Sequence, residues 1–202
     1  MRPVSSQHPP PAASLGDVET ERLRLRRFRS DDLDELATVF AKPEVWRYPF
    51  ERGFTTEETA GFLATQMSAW STAGFGLWLA VERSNAAVVG FVGLSVPTFL
   101  PEILPAVEVG WRLDPSVWGR GYATEGATAA LDEAFTTLGF SEVCSVPQSD
   151  NHASVRVAER LGMRRSRSVV IPATAARGAL AAELFRVTAA EWRGRKSGDA
   201  GN

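Results

Sequence analysis

Cysteine occurs once in the 202 residues, at position 144, and histidine only twice. A single thiol closes no internal disulfide, which suits a reducing, cytoplasmic setting. Two histidines without a Cys/His cluster offer no metal site. No apolar run approaches the ~20 residues that span a bilayer. The first residues, MRPVSSQHPPPAASLG, carry Arg2 but lack the apolar centre of a secretion signal. Excess charge of one sign is also missing: 22 Lys and Arg stand against 24 Asp and Glu. That balance gives no broad cationic surface for a phosphate backbone. The basic runs from Arg22 to Arg29 and from Arg164 to Arg167 are broken by apolar residues or serine, and read as solvated strand faces. The expectation is a soluble chain with no metal, nucleic-acid or membrane partner. The oligomeric state stays open, a homodimer included.

What is present has the composition of a globular α/β protein. Residues 1–17 are rich in Pro, Ser and Ala and read as a flexible leader. Residues 194–202 read as a flexible tail, which leaves one domain over 18–193. TERLRLRRF alternates Leu23 and Leu25 with arginines, as a half-buried strand does. Ser30, Asp31 and Asp32 are placed to cap a helix with Leu33, Leu36, Ala37 and Phe40 along one face. Thr55 and Glu58 form a capping box for a second helix that Gly74 closes. GLWLAVE and VVGFVGLSV read as paired strands, followed by AVEVGWRL. A helix carrying Ala127, Ala130, Leu131, Ala134 and Leu138 comes next. After it lie the strand SEVCSV, a helix capped by Asp150 or Asn151 and stopped at Gly162, and two last strands near 164–171 and 182–189. The order β-α-α-β-β-β-α-β-α-β-β implies a mixed sheet with helices packed against it.

Between AVEVGWRL and the next helix lies Trp118-Gly119-Arg120-Gly121-Tyr122-Ala123-Thr124. A helix start carries unpaired N–H groups and partial positive charge, and glycines let the preceding chain curl so that these groups converge. That arrangement suits a pyrophosphate. Spacing alone leaves a plain tight turn equally open. The segment is neither a Walker loop nor a Rossmann fingerprint, since no Gly-Lys-Ser/Thr ends it and the third glycine is absent.

The strand VEVGWRL, the loop WGRGYATE and the helix NHASVRVAERLGM, in that order, resemble the GNAT superfamily of N-acetyltransferases, and within it the RimJ/RimL-type branch. The likeness covers nearly all of 18–193. Trp118 departs from the Gln or Arg that opens the family's loop pattern. The resemblance implies a twisted, mostly antiparallel sheet that splays open between AVEVGWRL and SEVCSV, with acetyl-CoA in the opening. It implies pyrophosphate contacts from Trp118 through Thr124, and contacts to the rest of the cofactor from Trp111, Arg112, Leu113, Asn151 and Ser154. The N–H of Arg112 or Leu113 would meet the thioester carbonyl. Glu108 is the candidate general base, since a carboxylate among Val107, Val109 and Trp111 could sit desolvated; the alternative is a solvent-facing or ion-paired residue. Ser154 is the candidate proton donor to the CoA thiolate, or a plain helix serine. Asn151 is an N-cap, a cofactor contact or both.

The chain has only two tyrosines, Tyr48 and Tyr122. Phe185 stands where many relatives carry a tyrosine acid, which leaves a vacant donor position there. Cys144 reads as a buried strand residue and His152 as a surface one. Trp46, Tyr48, Phe50, Trp70, Trp78 and Phe99 are core or acceptor-pocket residues. The function implied is acetyl transfer from acetyl-CoA to a primary amine, either a small molecule or a protein N-terminus. The competing readings are a non-catalytic acyl-CoA-binding regulatory module and a plain interaction scaffold.

Overall fold

The computed structural model describes residues 15–199, with side chains to Arg195. Residues 1–14 of the expected leader and 200–202 of the expected tail lie outside the described residues. The strands are β1 (Val18–Glu19), β2 (Leu23–Arg26), β3 (Leu77–Glu82), β4 (Val88–Ser95), β5 (Glu108–Leu113), β6 (Glu142–Ser145), β7 (Arg164–Ile171) and β8 (Leu180–Thr188). The helices are α1 (Leu33–Phe40), a short α2 (Arg47–Phe50), α3 (Thr56–Ala73), α4 (Tyr122–Thr136), α5 (His152–Arg160) and α6 (Ala189–Asp199). All eight strands form one sheet in the order β1-β2-β3-β4-β5-β6-β8-β7. Every neighbouring pair is antiparallel except β5 and β6.

The period-two alternation splits the core into two layers. Trp78 and Ala80 of β3, Val92 and Leu94 of β4, and Val109 and Leu113 of β5 face the layer that holds Ala127, Ala130, Leu131 and Ala134 of α4. Leu77 and Leu79 of β3 and Phe91 of β4 face the other layer, with Leu36 and Phe40 of α1 and Leu63 of α3. That second layer is unusually aromatic. Trp46 stacks on Phe54 at 3.7 Å between centroids, and Phe40 meets Trp46 edge-on at 4.9 Å. Gly90, at φ 124°, lets β4 bend where a Cβ would lie 2.1 Å from the Arg112 carbonyl oxygen.

The helix signals differ in one place from the reading above. Thr55 and Glu58 form the expected capping box, and α3 ends at Gly74 with φ 73°. Gly162 closes α5 at φ 72°. The start of α1 is built otherwise: Ser30 lies inside a 3₁₀ turn, and Asp32 accepts from the Arg29 N–H at 2.6 Å while pairing with Arg26. Asp32 wins because its carboxylate satisfies a backbone donor and a guanidinium together. The basic runs are neutralised locally. Arg22, Arg24 and Arg26 pair with Glu125, Asp17 and Asp32, while Arg164, Arg165 and Arg167 pair with Glu191, Glu183 and Glu102.

Both expected chain ends need correction. Leu15, only 1% exposed, sits in the α4-side core, its N–H bonded to the Gly74 carbonyl at 3.2 Å. The Gly16 carbonyl accepts from Trp78 Nε1 at 3.0 Å. Leu15 and Gly16 are thus tied to the packed core. At the other end α6 continues to Asp199, held by buried Trp192, whose Nε1 donates to Asp132 at 2.7 Å. Single apolar side chains, Leu15 among prolines and Trp192 among charges, decide the two ends. Leu15→Ala should cost about 2–4 kcal/mol of unfolding free energy, as buried Leu→Ala changes do; urea denaturation of both proteins measures it.

Candidate functional site

The sheet is held together at its centre by very little. β5 and β6 share a single register pair, Glu108 with Cys144. The Cys144 N–H donates to the Val107 carbonyl at 2.9 Å. A continued parallel ladder would send the Val146 N–H to the Val109 carbonyl. It goes instead to Glu108 Oε1 at 3.2 Å. The Glu108 side chain therefore closes the ladder, and the strands part beyond it. Alternation then settles which backbone groups of β5 border the opening. Val107 points its carbonyl at β6, so Val109, Trp111 and Leu113 turn the same way. The Asp114 N–H donates to the Val89 carbonyl on β4, and Arg112 shares that orientation. Of the two amides expected to meet a thioester, Leu113 faces the opening and Arg112 does not; Trp111 takes its place.

At the wide end of the opening the chain enters the glycine loop. Asp114 caps a 3₁₀ turn by accepting from the Ser116 N–H at 2.8 Å. Gly119 and Gly121 both adopt positive φ, 73° and 84°, which an L side chain resists. The first bond of the α4 ladder runs from the Glu125 N–H to the Gly121 carbonyl. The N–H groups of Tyr122, Ala123 and Thr124 precede it, at the positive end of a 15-residue helix. The side chains of Trp118 and Tyr122 are engaged by protein partners. Trp118 Nε1 donates to the Leu113 carbonyl at 2.8 Å. Tyr122 is buried with its hydroxyl on Glu82, and the guanidinium groups of Arg22 and Arg120 lie 4.8 and 4.9 Å from its ring centroid. The loop's offer to a ligand is thus its backbone.

Sequence reasoning missed the residues that fix this loop. Glu125 accepts from Thr20 Oγ1 at 2.6 Å, from the Arg22 N–H at 2.7 Å and from Arg22 Nε at 2.6 Å. Arg22 also donates to the Arg120 carbonyl at 2.7 Å, and Arg120 pairs with Glu82 at 3.0 Å. The only signal was Glu125 itself, an acid in the first turn of a helix.

Glu108, Gly110 and Arg112 share the face of β5 that looks toward the aromatic layer, opposite Ser95, Gly93 and Phe91 of β4. Burial raises the Glu108 carboxyl to about 7, while the Val146 N–H and the Ser95 hydroxyl favour the anion. The solvent-facing and ion-paired alternatives for Glu108 do not fit. Cys144, buried beside it, is pushed up to about 12 by desolvation and then by the Glu108 charge, so it is no nucleophile. Asn151 is the N-cap of α5, accepting from the Ser154 N–H at 3.2 Å. Its amide N–H groups remain as donors, and Ser154 is half-buried one turn on. His152 is exposed, as expected.

Phe185 is a correction. It is 2% exposed and lies in the α4-side core, so its position is filled by packing and is no vacant donor site. The tyrosine that reaches the α5 end of the opening is Tyr48, whose hydroxyl donates to the Asp150 carbonyl at 3.4 Å. Tyr48, Glu44, Arg47, Gln148 and Asp150 line an opening of about 460 Å³. A similar one of about 490 Å³ lies at the opposite end of β5, around Glu35, Asn85 and Asp114, away from the carboxyl at the apex. No group of His, Cys, Asp and Glu among the described residues could hold a metal ion, and no described helix is long and apolar enough to cross a membrane.

The cradle has a direct test. A Cβ on Gly119 would meet nothing within 4 Å, and Asp tolerates the left-handed region better than most residues. Gly119→Asp should keep the fold yet put a negative charge where a pyrophosphate would lie. Calorimetric titration with acetyl-CoA should show affinity falling at least ~10-fold, about 1.4 kcal/mol; unchanged affinity in the folded variant would sink the loop's role.

Residues 22–164 match the acetyltransferase (GNAT) domain family. The Bacillus subtilis protein YkkB is 30% identical over 151 residues, covering 74% of this chain and 86% of its own. An Aspergillus fumigatus protein named FsC-acetyl coenzyme A-N(2)-transacetylase is 30% identical over 160 residues, 72% of this chain and 64% of its own. Among solved structures, a GNAT-family acetyltransferase from Bacillus anthracis superposes with a TM-score of 0.72 at 23% identity, covering 87% of this chain and 99% of that one. The splayed sheet, the glycine loop at a helix start and these matches agree: the chain belongs to the GNAT family and is an acetyl-CoA-dependent acetyltransferase.

Proposed function

We propose that this enzyme transfers the acetyl group of acetyl-CoA to a primary amine by direct attack in a ternary complex, with Glu108 as the general base. The observation that carries the reading is the position of Glu108. Its carboxyl closes the narrow end of the opening and titrates near neutral pH. Acceptor amines are mostly protonated at pH 7. The Glu108 carboxylate takes the ammonium proton, directly or through a water, and the freed lone pair attacks the thioester carbonyl. The N–H groups of Trp111 and Leu113 border the place where the oxyanion forms. Collapse expels the CoA thiolate, which takes its proton from Ser154 or from water, and that donor is restored by the second proton that the attacking nitrogen sheds. Backbone N–H groups from Gly119 to Thr124 hold the pyrophosphate, and Asn151 and Ser154 flank the pantetheine arm.

A non-catalytic acyl-CoA-binding module would have no use for a carboxyl so tuned. The aromatic layer of Trp46, Phe50, Phe54 and Phe62 beside β5 supports a small amine over an extended protein N-terminus. The likeness to the RimJ/RimL branch rests on the loop and α5 motifs. The lone buried thiol of Cys144 supports a cytoplasmic setting.

General-base catalysis contributes ~10²–10⁴-fold. Glu108→Gln should lower kcat by that range, leave the dissociation constant for acetyl-CoA nearly unchanged, and erase a rising limb of kcat/KM centred near pH 7. A linked stability change is also expected. The folded carboxyl titrates above its unfolded value of ~4.3, so its contribution is full below that value and is lost as pH rises through 7. Removing the carboxyl removes the loss. Urea midpoints from pH 4 to 8 should show the glutamine variant gaining on the parent as pH rises. A variant with an unaltered pH–rate profile would take the base role from Glu108.

A further inference from the structure

Two buried N–H donors without partners lie against each other on the acceptor side of β5. Trp46 Nε1 and Arg112 Nε are each inaccessible to solvent and make no hydrogen bond. They belong to side chains in direct contact, with the Arg112 guanidinium carbon 4.1 Å from the centroid of the Trp46 ring. Trp46 is 5% exposed and clamped between Phe54 and Phe40. Arg112 is fixed at one end by donating from Nη1 to the Val45 carbonyl at 2.5 Å. Among the described residues no carboxylate is within ion-pairing distance of this guanidinium.

Such an arrangement is costly as it stands. A buried charge is ordinarily paired, and a buried donor without an acceptor forfeits the hydration it had in the unfolded chain. Other partly buried cations here obey the rule: Arg26 pairs with Asp32, and Lys42 with Asp114. Burial without a counter-ion lowers Arg112 to about 10, still cationic at neutral pH. A partner reaches the two donors only once these side chains shift, and open space lies beside them on β5. Gly110 lies between Glu108 and Arg112 on the same strand face, and a Cβ there would meet nothing within 4 Å. The opposing β4 residue is Gly93, so the floor of this strip carries no side chain. Glu108 and Arg112 are four residues apart, ~13 Å along the strand.

We propose that Arg112 and Trp46 bind a carboxylate on the acceptor, so that the preferred substrate of the acetyl transfer is an amino acid or similar amino-carboxylate rather than a plain amine. This rests on the acetyltransferase reading above and names its substrate class. The guanidinium supplies the charge and a planar donor edge, and the indole N–H adds a neutral donor alongside. The amine of the same molecule reaches toward Glu108 over Gly110. The carboxylate fixes which end of the molecule faces the thioester, and supplies the missing counter-ion on binding.

The test uses the full-length enzyme, acetyl-CoA and matched trios of probes: an L-amino acid, its primary amide and the amine lacking the carboxyl carbon. CoA release gives kcat and KM for each. The parent should favour the acid over amide and amine by roughly 10- to 100-fold in kcat/KM, the scale of one charge-assisted pair, with the difference in KM. Arg112→Met should collapse that preference. Arg112→Lys, which keeps the charge but loses the planar fork, should restore only part of it. Trp46→Phe, which keeps the stacked ring and removes the N–H, should weaken it several-fold. A second arm needs no turnover. With CoA bound, the acid but not the amide should raise the melting temperature of the parent, and Arg112→Met should abolish that shift. Without any ligand, Arg112→Met should melt no lower than the parent, since it removes an uncompensated buried charge.

Equal use of acid, amide and amine, with equal thermal shifts, overturns the proposal while leaving the acetyltransferase reading intact. An Arg112→Met variant that melts lower than the parent and keeps the acid preference overturns it too, since Arg112 is then only a strap between β5 and Val45. No CoA release with any probe, beside an acid-specific thermal shift lost in Arg112→Met, supports the carboxylate site and counts against acetyl transfer to these amines. No release and no shift overturns the proposal.

Discussion

The molecule turns on one side chain that substitutes for a backbone bond. Sheets gain from every ladder rung they complete, and an open seam in the middle of an eight-stranded sheet exposes groups that are normally paired. Here the seam opens because the Val146 N–H is met by the Glu108 carboxylate, which ends the ladder while leaving that donor satisfied. The same contact that lets the strands part also holds the carboxyl against the apex. On the proposed mechanism, structure and reactivity share one atom pair. Below it, the cleft-facing amides of Trp111 and Leu113 are available because β6 ends at Ser145 and cannot follow β5 downward.

The second constraint is the fixing of the glycine loop from outside. Its glycines give curvature but no rigidity, and its helix start is held by Glu125 reaching across to Thr20 and Arg22 near the beginning of the chain. Arg120 and Tyr122 converge on Glu82 at the end of β3. Three segments far apart in sequence are thereby tied to the place where a pyrophosphate would bind, with both guanidinium groups against the Tyr122 ring. A loop pre-set in this way loses little conformational entropy when a ligand arrives.

Much of this was legible in the amino-acid order. Alternation gave β2, apolar runs of strand length gave β3 to β5, the Thr55–Glu58 box and Gly74 bracketed α3, and Gly162 marked the end of α5 because only the left-handed region completes that turn cheaply. Glu108 could be singled out since an acid among apolar strand residues must be either paired or desolvated. What was hidden depended on contacts remote in sequence. Leu15 looks like part of a proline-rich leader until Gly74 and the α4-side core are brought to it. Phe185 looked like a gap in the chemistry, and only packing shows that its face of β8 looks into the core. Tyr48 and Asp150 are 102 positions apart and meet only in the fold. Trp46 and Arg112 are individually ordinary; their missing partners are visible only once both are buried.

One feature of the seam makes it observable. The chain's single cysteine is the β6 residue of the only β5–β6 register pair, and its thiol is buried and held in the unreactive protonated form. Alkylation of Cys144 therefore has to wait for the cluster of Leu100, Ile103, Val146 and Leu184 around it to open locally. The rate of thiol labelling becomes a clock for local opening beside the seam, read from the natural sequence with no introduced probe and no background from other thiols.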